Sequence, residues 1–355
     1  MKISSSALYA LSLCAAVAIL AGCSNGGPQS QLGPPAPIQQ NAAQSSLNTQ
    51  SLDLLALTTR NRVVPAMHVN HRPSWMDPDA KKQDLLYISD PVAGDVDVYS
   101  YPRGKLKGML TDSDAPYGEC SDKAGNVWIA NFYGADIVEY AHGGTSPINT
   151  LSDPGANGYP IGCSVDSTTG NLAVSNFDNA KTGAPGDVLI YADAQGTPTT
   201  YTVTNATPYW PPGYDNKGNL FVQVYNPYGA LAELPKGRKQ FKTITLNVTI
   251  YVPGSVQWHG KYLAVDDQAY EGGNTTGIYQ VQISGSSGTA IGSEELLDSC
   301  GASDVVQFWI QGNNVVGPNV ACLNVGIYKY PAGGTAIKTL TGFQYPNGAT
   351  VSLSK

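Results

Sequence analysis

Charge is what this chain has least of: Asp, Glu, Lys and Arg make up 13% of its 355 residues, about half the share usual in globular proteins. There is no basic run and no basic face interleaved with aromatics, and 20 Lys and Arg stand against 27 Asp and Glu, a formal net charge of −7. Nucleic acid is therefore not an expected partner. Histidine is nearly as scarce: His68 and His71 precede the repeated part of the chain, and His142 and His259 fall in turns. The patterns HExxH, CxxC, GxGxxG, GxSxG and the Walker loop are all absent, so no familiar metal, phosphate-cradle or nucleophile motif is present. Long apolar runs are lacking as well. The one stretch of any length, Ala7 to Ala21, is short of the roughly 20 residues that span a bilayer.

What is abundant is turn and strand chemistry, with 39 Gly, 24 Pro and 21 Tyr. The stretch Asp122 to Tyr140 sets the pattern: a tight turn in which Gly125 supplies positive φ, the β-prone run Val127-Trp128-Ile129, a loop from Asn131 to Asp136, and a second apolar run ending in Tyr140. The strand at Ile129 recurs at Ile88, Val174, Val222, Val265 and Val316, at intervals of 41, 45, 48, 43 and 51 residues. Periods of that length mean a propeller or a solenoid. In each unit the next strand has an aliphatic residue three places before a mostly aromatic one: Val98 and Tyr101, Ile137 and Tyr140, Val188 and Tyr191, Leu231 and Leu234, Ile278 and Val281, Ile327 and Tyr330. A further segment precedes every anchor strand but the first, and a copy of it, Tyr345 to Val351, ends the chain. The expected fold is an all-β, six-bladed propeller of four-stranded blades over residues 85–355, closed by a C-terminal strand that joins the N-terminal blade and so removes the sheet edges.

At these residues the chain resembles the NHL-repeat propellers and their gluconolactonase-type and virginiamycin B lyase-type relatives. Tyr159-Pro-Ile-Gly-Cys-Ser-Val-Asp166 followed by Gly170-Asn-Leu-Ala-Val-Ser-Asn176 is similar to the NHL core of Pro-x-Gly, Val-Asp, Gly-Asn and strand. After the strand the usual Asp-x-x-Asn-x-Arg is replaced by Asn131-Phe-Tyr-Gly-Ala-Asp136. In gluconolactonase-type propellers a metal sits at the top of the channel, and the resemblance implies Glu119, Asn131, Asn176 and Asp266 as candidate ligands for Ca²⁺. The competing reading is that Asn and Asp at strand ends simply cap turns.

Residues 1–22 read as an export signal, and Leu20-Ala21-Gly22-Cys23 resembles the bacterial lipobox, which implies a lipid on Cys23. Residues 23–50, rich in Gln, Asn, Ser, Gly and Pro, read as a disordered tether. Residues 51–84 are expected to pack on the propeller. Of the remaining cysteines, Cys300 and Cys322 lie in connections that emerge on the same face of one blade, so they are expected to pair in an oxidising compartment. Cys120 and Cys163, at equivalent places on adjacent inner strands, form either a second bridge or two small buried thiols.

The two faces differ in charge. Loops between second and third strands and between blades carry ten carboxylates, from Asp90 to Glu271, against Lys181; the opposite turns carry eight Lys and Arg, from Arg103 to Lys261. On the acidic face Tyr117, Tyr159, Trp210 and Tyr251 each precede an inner strand and are expected to ring the opening of the channel. Aromatics with carboxylates suit a small molecule, a glycan or a protein surface. The function expected is a lipid-anchored binding or interaction module of the bacterial cell envelope; the alternative is a metal-dependent lactone hydrolase or lyase.

Overall fold

The computed structural model describes residues 72–355 apart from 112, 155–157, 180–184 and 226–228. The expectations for residues 1–71, including the lipid on Cys23 and the tether, lie outside the described residues. The rest is a β-propeller of six antiparallel blades, each a meander of inner, second, third and outer strands. Blade 2 shows the unit: Pro116–Ser121, Val127–Asn131, Asp136–Tyr140 and Pro147–Ser152. Gly125 turns the first pair with φ of 87°, a conformation that costs a residue without Cβ nothing.

Alternation of side chains along each strand puts one set of residues into the core shared with the preceding blade and the other into the core shared with the next. Leu85 and Tyr87 pack with Val127, Ile129 and Tyr140 of blade 2. Their neighbours Leu86 and Ile88 face Val316, Val325 and Ile327 of blade 6. Four further clusters fill the gaps between blades 2 and 3, 3 and 4, 4 and 5, and 5 and 6. The aliphatic and aromatic pair three apart on each third strand follows directly, because an odd spacing on a strand serves opposite faces. Ile137 enters the core with blade 3 while Tyr140 enters the core with blade 1. One anchor is corrected: the residue of blade 6 equivalent to Ile129 is Val315, which faces blade 5, whereas Val316 faces blade 1. With two valines in succession the pattern offers no choice of face, and a slip of one residue reverses it.

Closure is made by Gly348–Ser352, which pairs antiparallel with Leu85–Asp90 from Leu85 opposite Ser352 to Ser89 opposite Gly348. Its Ala349 and Val351 complete the core between blades 1 and 6. Trp75–Met76 adds a fifth strand outside Lys105–Leu110 of blade 1. Two disulfides staple the ring. Cys120 and Cys163 join the inner strands of blades 2 and 3 across a Cα separation of 5.5 Å, and Cys300 and Cys322 join two loops of blade 6 across 6.0 Å. From the loop lengths alone the chain-entropy model gives about 4 and about 3 kcal/mol respectively.

Deleting residues 345–355 exposes the edge of Leu85–Asp90 and one side of the core between blades 1 and 6. The truncated chain is expected to aggregate or to melt without cooperativity, as followed by calorimetry; a melt unchanged from that of the full chain would show that the ring does not depend on this strand.

Candidate functional site

The six inner strands converge on the axis, where their spacing leaves little room for side chains. A Cβ on Gly118 or on Gly348 would clash with the carbonyl of Ile161 or of Tyr117, and one on Gly162 would lie 2.7 Å from Pro211. Neighbouring inner strands do not pair as a sheet, and glutamine amides take over that work. The Gln307 Oε1 accepts from the N–H of Glu119 at 2.8 Å, and its Nε2 donates to the carbonyl of the same residue at 2.6 Å. Gln257 makes the same two bonds with Ile310, at 2.6 and 3.0 Å, and Gln223 Nε2 donates to the carbonyls of Asp266 and Gly254. Gln307, 4% exposed, reaches from blade 6 to blade 2 and with Gln223 forms a floor of buried amides near the axis. A cavity of about 150 Å³ is bordered by Gln307, the Cys120–Cys163 bridge, Trp258 and Trp309.

Above that floor stands an arc of aromatic rings. Tyr117 stacks on Phe132 with centroids 4.9 Å apart and planes at 26°, and Phe132 stacks on Tyr159 at 4.2 Å and 12°. Tyr133 meets both Phe132 and Tyr159 edge-on, at 5.1 and 5.8 Å, and is 43% exposed. Phe177 and Trp210 continue the same cluster below the surface, edge to face at 5.7 Å. The four aromatics expected to ring an opening are thus placed differently. Tyr117 and Tyr159 share the stack, Trp210 is only 2% exposed and packs blade against blade, and Tyr251 lies apart, beside Gly272 and Asp267 of blade 5. Phe132 and Tyr133, aromatics of the same acidic-face loops, join the two tyrosines into one surface; their place in the stack had no signal beyond the departure of that loop from the NHL pattern.

The carboxylates of this face are largely interior. Asp90 and Asp267 occupy the same position in their blades, and each accepts backbone N–H groups from the two connections it separates. Asp90 takes Val92, Ala93, Gln344 and Tyr345, and Asp267 takes Tyr251, Val252 and Ala269. Asn131 and Asn176, again at that position, each donate Nδ2 at 2.8 Å to the aspartate that opens the following strand, Asp136 or Asp187. The expected acidic field is replaced by a set of loop clamps, because buried N–H groups at strand ends need acceptors.

Of the four residues implied as Ca²⁺ ligands, Asn131 and Asn176 commit their amide nitrogens to Asp136 and Asp187 of their own blades. Asp266 lies against Gly254 of blade 5, and Glu119 is buried within electrostatic reach of Tyr87 of blade 1. Among the described residues, the one group of three His, Cys, Asp or Glu side chains close enough to share an ion is Asp298, Cys300 and Cys322, whose sulfurs are bonded to each other.

Burial pushes several of these acids up. Glu119 and Asp266, both fully buried, are raised well above the usual carboxylate range by desolvation, Asp266 further by Asp267 and Asp304. Desolvation raises Asp267 and Asp97 to about 6, with Asp95 adding to the latter, and Glu294 to about 8. A raised folded-state value means stability that is complete below the unfolded value and is lost as pH climbs through the folded one. The melting temperature is therefore expected to be highest at about pH 4 and to fall towards about pH 8.5. Glu119→Gln, neutral at every pH, should raise it at the alkaline end and leave the acid end unchanged; a flat profile in the parent, or alkaline loss in the variant equal to the parent's, contradicts the assignment.

No family model and no curated protein matches the chain. Among solved structures, a chain of a nidogen/laminin complex superposes with a TM-score of 0.60 at 12% identity, over 77% of this chain and 99% of its own. A protein of unknown function from Bacteroides caccae gives 0.55 at 11% identity, over 76% and 99%. A streptogramin B lyase reaches 0.46 at 15% identity over 76% of each chain, too loose a superposition to weigh beside them. At such identities the likeness is one of fold, and it agrees with the pairing of the strands: this chain folds as a β-propeller.

Proposed function

We propose that the chain is an exported binding module of the bacterial cell envelope, anchored by a lipid on Cys23 and held off the membrane by residues 23–50, and that it takes a glycan on its aromatic arc. The observation that carries the reading is the stack of Tyr117, Phe132 and Tyr159 with Tyr133 exposed beside it. Aromatic planes accept the apolar faces of sugar rings, and the acceptor oxygens of Asp114 and Asp136 flank them. The tether, as a flexible coil of about 30 residues, would span on the order of 30 Å. The two disulfides favour an oxidising location.

Two measurements test the two halves of the proposal. Tyr133→Ala is expected to weaken binding to a glycan identified on an array of bacterial polysaccharide and peptidoglycan fragments by about tenfold at an unchanged melting temperature, while Trp210→Ala should cost about 3–5 kcal/mol of stability. Absence of any glycan hit, or an affinity indifferent to Tyr133, would reject the arc. Cys23→Ser should release the exported protein from membranes, since one or two acyl chains and not an apolar protein surface would hold it there; a variant that is exported and still sediments with membranes would reject the anchor.

A further inference from the structure

The outer edges of the blades are not treated alike. Lys105–Leu110 of blade 1 is covered by Trp75–Met76. The outer strands of blades 4, 5 and 6, at Lys242–Leu246, Ser287–Leu297 and Gly333–Thr341, pair in parallel with one another. Pro147–Ser152 of blade 2 has the third strand of its own blade on one side and, among the described residues, no strand on the other. Asp153 donates its N–H to Ala135, and the alternation of an antiparallel ladder then places hydrogen-bonded pairs at Leu151 with Ile137 and at Asn149 with Glu139. Thr150 and Ser152 consequently turn their backbone N–H and C=O outward. The outward carbonyl of Ser152 already accepts from Tyr191 Oη of blade 3 at 3.1 Å.

Between this edge and blade 3 runs a groove in two joined parts, of about 750 and 630 Å³, that share Glu139, Asn149 and Gln195. The first part follows the exposed edge from Ile148, 54% exposed, to Ser152. The second is bordered by the carboxylates of Asp122, Glu139, Asp166 and Asp193 against the single cation of Lys123. Asp166 is occupied by Thr168 and Thr169, and Asp122 and Glu139 each accept from Asn126; Lys123 reaches the carbonyl of Ser167. Trp128 also borders this part. It is 2% exposed and its indole N–H, itself buried, meets no acceptor, although an unmet buried donor is costly.

We propose that this groove binds an extended, lysine-bearing segment of a partner protein, which adds a strand to Pro147–Ser152 and directs its ammonium groups towards Glu139, Asp122 and Asp193. Strand addition supplies affinity through main-chain hydrogen bonds, and pockets for alternate side chains supply specificity. The edge offers the first at Thr150 and Ser152. The acidic part of the groove offers the second, with three carboxylates more than cations among its lining residues. The site lies on another face from the aromatic arc and does not depend on it.

The test uses the full chain and the fluorescent peptide acetyl-KVKVKV-amide in an anisotropy titration, with acetyl-EVEVEV-amide as the counterpart. The basic peptide is expected to bind and the acidic one to bind at least about tenfold more weakly. Thr150→Pro removes an outward N–H at an edge, a place where proline is tolerated, and should reduce affinity about tenfold with the melting temperature retained. Should that variant lose its fold, a basic peptide N-methylated at alternate residues makes the same cut from the ligand side and is expected to fail to bind. Equal binding of the two peptides, no binding of either, or indifference to N-methylation and to Thr150→Pro overturns the proposal. So does a concentration-dependent dimer of the free chain that Thr150→Pro dissolves, since a second copy would then be the occupant.

Discussion

Every blade of this ring must be buried on both faces at once, and the rest of the structure follows from that requirement. A sheet with one wet face can afford polar residues at alternate positions, but here the second strand Leu85-Leu86-Tyr87-Ile88 is buried residue by residue, with its two sides given to different neighbours. Each core is therefore built from two blades and none from one. At about 25 cal/mol per Å² of apolar surface removed from water, no blade holds its share of this burial without the next, so the interface between first and last blades is as necessary as any other. The C-terminal strand is what makes that interface continuous.

The same requirement explains the axis. Six inner strands brought close enough to share cores with their neighbours approach one another too tightly for Cβ atoms at Gly118, Gly162 and Gly348, yet they form no sheet with one another. Isolated backbone bonds, such as that from the Ser255 N–H to the Val306 carbonyl, cross between them. Gln307, Gln257 and Gln223 add side-chain amides, which carry the same donor and acceptor as a peptide group on a longer arm. Gln307 bonds both the N–H and the C=O of Glu119, so Gln307→Ala would strand two buried groups as well as open a hole.

Much of the fold was legible because strand periodicity is local. The repeat of anchors and the odd spacing between aliphatic and aromatic residues on third strands are properties of a few neighbouring residues, and all six pairs serve the faces that spacing requires. The Cys300–Cys322 pair was legible for a related reason, since both connections emerge on one face of a blade; for Cys120 and Cys163, equivalent places on adjacent inner strands left a bridge and two buried thiols both open, and the structure has the bridge. What composition could not convey is direction. Asp90 and Asp267 belong to loops of the acidic face, but their carboxylates turn inward to loop N–H groups; Trp210 precedes an inner strand as Tyr117 and Tyr159 do, but Pro211 and Pro212 follow it and it ends beneath Phe177. The glutamine clamps left no signal, because their partners are backbone groups of other blades and the residue type alone does not name them.

Two-sided burial leaves two kinds of surface unused: the loops at the ends of the strands and the outer edges of the blades. These surfaces differ in the constraint upon them. Loop residues need only satisfy their own backbone, so a run such as Phe132-Tyr133 is free to gather exposed aromatic area. An outer edge carries unpaired main-chain groups that invite association with other chains unless they are covered. Blade 1 covers its edge with a segment from ahead of the propeller, and blades 4 to 6 cover theirs with one another. Blade 2 leaves Thr150 and Ser152 facing a groove whose acids are only partly answered. Carboxylates beside an open edge repel acidic strands and attract basic ones, so the charge that fails to seal this edge is also what would select its occupant.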